Sequence, residues 1–144
     1  IHKLPYLKSL GITALWLNPF FESPFGDAGY DIADFRKVAA RYGTNEDAVR
    51  LFKEAHKLGL KVVLDLVAGH TSDQHPWFKA AVADPKSPYR DYFIFTGDEP
   101  QRPMFGGTTP KTAKGEHFVA NFLPFQPALS YGYHQPDPAK PWQL

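Results

Sequence analysis

Two stretches of the chain share one rhythm of apolar and polar positions. Pro5-Tyr6-Leu7-Lys8-Ser9-Leu10 reads as the last turns of a helix. Pro5 sits where a first turn tolerates it, and Gly11 can take the left-handed cap. Ile12-Thr13-Ala14-Leu15-Trp16-Leu17 is almost continuously apolar, which predicts a strand buried on both faces, as in a parallel sheet. Asn18-Pro19 ends it. The pattern then returns. Thr44 is a good N-cap, with Asp47 three residues on in place of the usual Glu. Ala48, Phe52 and Ala55, flanked by Val49, Leu51 and Leu58, form one apolar stripe at helical spacing. Gly59 closes that helix, and residues 60–67 are the next apolar strand.

Leu10-Gly11-Ile12-Thr13-Ala14-Leu15-Trp16-Leu17 matches Leu58-Gly59-Leu60-Lys61-Val62-Val63-Leu64-Asp65 position by position. Helix, Leu-Gly, strand, twice over, predicts successive βα units of a parallel sheet. Two strands cannot close a barrel, so the chain reads as a piece of a longer polypeptide.

From Thr71 onward the rhythm stops. Eleven of the 14 prolines fall there, with Asp84-Pro85-Lys86-Ser87-Pro88, Gly106-Gly107-Thr108-Thr109-Pro110 and Asp137-Pro138-Ala139-Lys140-Pro141. Residues 92–95 and 117–122 suit short strands. This region reads as a loop-rich, weakly β subdomain inserted after the second strand, and long loops of that kind are usually functional.

Composition narrows the function classes. The 144 residues are 43% hydrophobic and 22% charged, enough for a core. Net charge is +1, which leaves no electrostatic footprint for nucleic acid or an anionic membrane. No apolar run approaches the roughly 18 residues of a membrane span. The absence of Cys excludes disulfides, thiolate metal sites and thiol nucleophiles.

Ligands of parallel βα sheets bind at the C-terminal ends of the strands. Three clusters belong there: residues 26–35 after the first strand, residues 65–72 at the end of the second, and Phe125-Gln126-Pro127-Ala128-Leu129-Ser130 from the insertion. Together they describe a polar, aromatic-lined cleft with several carboxylates and a His. Sugar rings suit it, because their apolar faces stack on aromatic rings and their hydroxyls need donors and acceptors. Asp31 and Asp65 are one pairing for a two-carboxylate glycosidase, a pairing that chance also produces. Each residue has a plainer reading as well. Asp65 satisfies nearby backbone or pairs with an Arg; His70 is a satisfied loop His; Tyr30 packs under the insertion. Asp27 and Asp34 are turn and capping residues. Trp16 belongs to the core, and Trp77-Phe78 anchors the insertion to the sheet.

Leu15-Trp16-Leu17-Asn18-Pro19-Phe20, Gly29-Tyr30-Asp31-Ile32-Ala33-Asp34-Phe35, Asp65-Leu66-Val67-Ala68-Gly69-His70-Thr71-Ser72 and the stretch from Asn121 to Ser130 resemble, in order, motifs of glycoside hydrolase family 13, the α-amylase and α-glucosidase family. The resemblance covers essentially the whole chain. It implies an α/β fold, part of a (β/α)₈ TIM barrel. Residues 1–72 would be two βα units of the barrel and residues 73–144 an inserted domain B-like region. It implies a retaining glycosidase acting on α-glucosidic bonds of oligo- or polysaccharides. Tyr30 would stack on the glucose ring before the scissile bond, and His70 would hydrogen-bond its hydroxyls. Asp65 would organise the site with an Arg from a later strand, so it is not the nucleophile. Asp31 would help grip the non-reducing-end glucose.

Two departures bear on cofactor and linkage. The family usually has Asn before the His, a calcium ligand in many α-amylases; here it is Gly69, so no cofactor is expected at this position, while calcium stays open for the full-length protein. The late motif reads Gln-Pro-Ala-Leu-Ser, with Ala128 and Ser130 altered; its Gln126-Pro127 leans toward α-1,6 and α-glucosidase-like members. The family's nucleophile, general acid and third essential Asp come from barrel strands four, five and seven, after this stretch. The segment alone is therefore expected to hydrolyse nothing, and its partners to be an α-glucoside and the rest of its own barrel. Two other classes stand beside this one. One is a non-catalytic relative, such as the heavy chains of some amino-acid transporters; the other is a free-standing sugar-binding module. Intact Tyr30, Asp31, Asp65 and His70 favour the enzyme.

Overall fold

The computed structural model describes residues 1–100 and 107–131. Helix α1 (Leu4–Ser9) ends at Leu10, and Gly11 follows at φ +84°, the left-handed turn its missing Cβ permits. Strand β1 (Ala14–Leu17) leads to a short antiparallel pair, β2 (Phe21–Glu22) with β3 (Asp34–Val38). Helix α2 (Asn45–Lys57) opens on Thr44 with both halves of the capping box to Asp47 in place. Strand β4 (Lys61–Leu64) lies parallel to β1. Then come α3 (Pro76–Ala83), a 3₁₀ turn at Arg90–Tyr92, β5 (Phe95–Gly97) and β6 (His117–Phe118), the last two antiparallel.

The repeat in the sequence corresponds to the two parallel strands. Ala14 pairs with Lys61 and Trp16 with Val63, an offset of 47. The Leu-Gly repeat, Gly11 to Gly59, has an offset of 48. Equivalent positions in the two units are thus displaced by one residue from hydrogen-bonded partners.

Both strands are shorter than expected, and only one of their faces is covered. Leu15 and Val62 pack with Leu51 and Leu58 onto a small core of Leu4, Ala55 and Leu60 beneath α1 and α2. Trp16 and Val63 face the other way, and there Trp16 is 69% exposed. Trp16, expected in the core, is left uncovered within this segment, because among the described residues no element lies on that face. A cavity of about 1020 Å³ lined by Trp16, Phe20, Val38, Tyr42, Leu51 and Phe52 opens beside α2.

The second half is more ordered than its prolines suggested. Helix α3 was not foreseen. Pro76 occupies its first turn, where no N–H is needed, and His75 Nδ1 accepts the Trp77 N–H at 3.1 Å as the cap. The strand expected over 92–95 is instead a 3₁₀ turn followed by β5, and that over 117–122 contracts to β6. Phe78 centres a second core with Ala81, Phe93, Phe118 and Ala120. Its ring lies 5.0 Å from Phe93 and 4.8 Å from Phe118. Trp77 packs against that core too, so the pair expected to anchor the insertion to the sheet packs instead within the insertion's own core. Arg90 ties the rim, bonding Glu116 and the Ala81 carbonyl and lying over the Phe95 ring. The 137–141 run lies outside the described residues.

Candidate functional site

The three clusters read from the sequence converge. Backbone bonds lay the Phe125-to-Ser130 motif antiparallel along residues 69–73. Leu129 N–H donates to Gly69 C=O at 3.0 Å, Thr71 N–H to Pro127 C=O at 3.2 Å, and Asp73 N–H to Phe125 C=O at 2.9 Å. Ser72 N–H donates to Ile32 C=O at 2.8 Å, which brings in the segment after β1. Three chain segments remote in sequence thus share one small surface at the C-terminal ends of β1 and β4.

Asp65 follows β4 and is the hub of that surface. Tyr30 Oη donates to Asp65 Oδ2 at 2.6 Å, and Trp16 Nε1 donates to Asp65 Oδ1 at 2.7 Å. Both carboxylate oxygens are held by aromatic donors. The Tyr30 hydroxyl is shifted above its ordinary pKa, first because it donates to Asp65, then through burial and the charges of Asp65 and Asp27. The phenol is thereby kept protonated as a donor. Sequence reasoning missed Trp16, since mid-strand apolar context hides an indole N–H that reaches across the ladder.

His70 is buried. Its Nε2 lies 3.0 Å from the Tyr30 carbonyl, so Nε2 carries the proton and donates. Nδ1 is then an acceptor, with no partner among the described residues. Burial is the first cause of a lowered His70 pKa; the bond to Tyr30 and the charges of Asp27 and Asp31 oppose it. The ring is neutral near pH 7. Phe122 stands edge-on to it at 5.6 Å and is largely exposed, an aromatic face that the sequence reading did not single out.

Asp31 is engaged within its own loop. It is 1% exposed, and its carboxylate turns into its own loop. Ser23 Oγ donates to Oδ1 at 2.8 Å, Asp27 N–H to Oδ1 at 3.1 Å, and Gly26 N–H to Oδ2 at 2.9 Å. Both of its oxygens thus accept from groups of its own loop. The half-buried acid of this loop is Asp27, expected only as a turn residue. Its carbonyl does close a turn to Tyr30 N–H, but its Oδ2 also accepts from Gln126 Nε2 at 2.7 Å. Gln126 is fully buried, and its Oε1 accepts the Leu123 N–H at 3.0 Å, so it bridges the late motif to the first loop. Asp34 does act locally, accepting the Arg36 N–H at 2.8 Å.

Calcium does not fit beside His70. Gly69 brings no side chain, and its carbonyl already accepts from Leu129 N–H and from Asn121 Nδ2, the latter at 2.6 Å. Both lone pairs are used, and a donor nitrogen stands where a cation needs oxygen. Among the described residues no cluster of three His, Asp or Glu could hold a metal. No described helix is long and apolar enough to cross a membrane.

With this geometry in place, the similarities to known proteins are informative. A sequence model of the alpha-amylase catalytic domain matches residues 1–136. The chain is 41% identical over 138 residues to an oligo-1,6-glucosidase of Heyndrickxia coagulans, covering 90% of this chain and 25% of that protein. It is 48% identical over 110 residues to a trehalose-6-phosphate hydrolase of Bacillus subtilis, covering 76% and 19%. An isomaltulose synthase of Erwinia rhapontici, solved with sucrose, superposes at TM-score 0.84 and 39% identity, covering 93% and 25%. A trehalose-6-phosphate hydrolase of Bacillus licheniformis does so at 0.83 and 34%, covering 92% and 26%. The chain spans about a quarter of the length of the curated relatives it matches.

Proposed function

The chain belongs to the alpha-amylase catalytic-domain family, glycoside hydrolase family 13, a TIM-barrel fold, and on that premise we propose that it forms part of a retaining glycosidase acting on α-glucosidic bonds. Residues 1–72 contribute two βα units of the barrel, and residues 73–144 an inserted domain over the ends of its strands. The reading rests above all on the Tyr30–Asp65 bond. A phenol locked to a carboxylate, with His70 beneath its backbone, presents an aromatic ring and fixed polar groups on one surface. That is the chemistry a glucose ring needs.

Tyr30 stacks on the sugar, and neutral His70, whose Nδ1 has no partner among the described residues, accepts a hydrogen bond from one of its hydroxyls. Asp65, held by Trp16 and Tyr30, organises the site and pairs with an Arg from elsewhere in the barrel. Asp27 and Phe122 complete the rim. Retention requires a nucleophile and an acid/base about 5 Å apart. We assign these to other strands of the whole protein, because both oxygens of Asp31 and of Asp65 are already engaged. Small α-1,6-linked glucosides are the favoured substrates, given Gln126-Pro127 and the oligo-1,6-glucosidases among the relatives.

The test is turnover of an aryl α-glucoside and of isomaltose by the full-length protein and by residues 1–144 alone. Hydrolysis by the first and none by the second is expected. A full-length protein that binds glucosides without cleaving them points to the non-catalytic relative. Turnover by the isolated segment contradicts the assignment of the catalytic carboxylates.

A further inference from the structure

The loop from Ser23 to Tyr30 is held in a costly shape. Phe25 and Ala28, neither a glycine, sit at φ +60° and +51°, values such residues adopt only where their surroundings over-determine them. Gly29, at φ +106°, has no room for a Cβ, which would lie 2.7 Å from the Pro19 carbonyl. A Cβ on Gly26 would lie 3.0 Å from the Phe125 ring and 3.2 Å from Asp31 Oδ2. The loop is thus pressed between the late motif on one side and the Asp31 carboxylate on the other. Asp31 is the group that gathers it. Two backbone N–H groups and one hydroxyl within the loop converge on its two oxygens. Ser23 Oγ also accepts the Phe25 N–H at 2.8 Å, extending the net to the first strained residue.

We infer that Asp31 is a positioning residue: its buried carboxylate holds the strained 23–30 loop in the one shape that delivers Asp27 to Gln126 and Tyr30 to Asp65. The carboxylate is suited to this because it only accepts. All three facing groups donate, so an amide in its place sets one N–H against another donor whichever way it turns. Asp31 touches no sugar and acts through Asp27 and Tyr30. The inference rests on the glycosidase reading for its functional readout, and one arm of the test is independent of it.

The experiment compares the full-length protein with Asp31→Asn, Asp27→Asn and the double variant, using an aryl α-glucoside. Bonds to a buried charged acceptor lead to an expected loss of about 10- to 100-fold in kcat/KM for Asp31→Asn. KM should rise as well as kcat fall. The double variant should lose less beyond Asp27→Asn than Asp31→Asn loses in the parent, because only the Tyr30 part of the positioning is left to remove. Loss of folded protein would instead lower kcat alone and by the same factor in both backgrounds; that result overturns the inference, as does an Asp31→Asn variant within about twofold of the parent. Ser23→Ala, which removes one donor and leaves the carboxylate, covers the case in which Asp31→Asn fails to fold. It should lower kcat/KM several-fold, and parental activity in it refutes the role. Amide exchange at Gly26 and Asp27 needs no turnover. It should be slow in the parent and at least about tenfold faster in Asp31→Asn or Ser23→Ala. If the parent cleaves no glucoside while these amides behave as stated, the glycosidase reading fails and the positioning role stands. Unchanged exchange overturns the role.

Discussion

Phe78 and Trp16 are large aromatic side chains in regular elements, yet their surroundings are opposite. Phe78 is enclosed by Phe93, Phe95 and Phe118 within a stretch that has no visible period. Trp16 stands in the most regular part of the chain, on a strand paired residue for residue with β4, and its ring is mostly exposed. Regular hydrogen bonding and completed burial are therefore separate matters. The β1–β4 layer has its ladder and half its core, whereas the aromatic region has few ladder bonds and a core of its own. Only the second is self-sufficient in hydrophobic terms.

The largest effect that sharpens this contrast comes from Phe78→Ala. Emptying the aromatic core should cost about 3–5 kcal/mol, measured by denaturant unfolding, and should do so in the 144-residue chain as well as the full-length protein. Val63→Ala is its counterpart on the open face. It should change stability by less than about 0.5 kcal/mol in the 144-residue chain. In the full-length protein, where we propose that other strands cover it, the cost should exceed about 1.5 kcal/mol. Equal costs in the two proteins would break the contrast.

Trp16→Phe keeps an aromatic, smaller side chain and removes the donor to Asp65. About a tenfold loss of kcat/KM in the full-length protein is expected. A variant with full activity would show that Asp65 needs only Tyr30. Thr44→Ala removes the capping box of α2 and should cost about 1 kcal/mol by the same unfolding assay. The smallest effect is that of pH. His70 and His75 both have folded pKa values below the ordinary one, chiefly because burial disfavours the cation. The stability tied to their neutral forms is full above about 6.5, the ordinary His value, and is lost as pH falls below it. At His75 a proton on Nδ1 also removes the acceptor for Trp77 N–H. An unfolding midpoint that rises on acidification from pH 7 to 5 in the wild type, relative to His75→Asn, would contradict this.

The legible parts of the chain were those where one period or one cap decides the structure. The α2 stripe with Thr44 and Asp47, the Gly11 turn and the twin strands all follow from local spacing. Helix α3 was hidden because its signals, Pro76 and a His cap, also mark loops. The pair β2–β3 was missed because two residues opposite five leave no alternation to read. At the site, the convergence of the three clusters was legible from strand order, but the division of labour between Asp27 and Asp31 was not. Both are acids in one glycine-rich loop. Only the fold shows which carboxylate turns inward to the Gly26 and Asp27 amides and which outward to Gln126.

The one-residue displacement between the Leu-Gly repeat and the β1–β4 pairing has a geometrical consequence. One residue is a climb of about 3.3 Å along a strand, and the neighbouring strand is about 4.8 Å to the side. Strands related in this way lean about 35° from the axis that relates them, close to the tilt of a closed eight-stranded barrel. Eight such steps climb eight residues, the shear at which that barrel meets itself. An odd displacement also turns equivalent side chains to opposite faces, so that each interior layer draws on alternate strands. Trp16 and Leu64, equivalent in the repeat, are such a pair: Trp16 shares its face with Val63, and Leu64 is one residue further along the ladder.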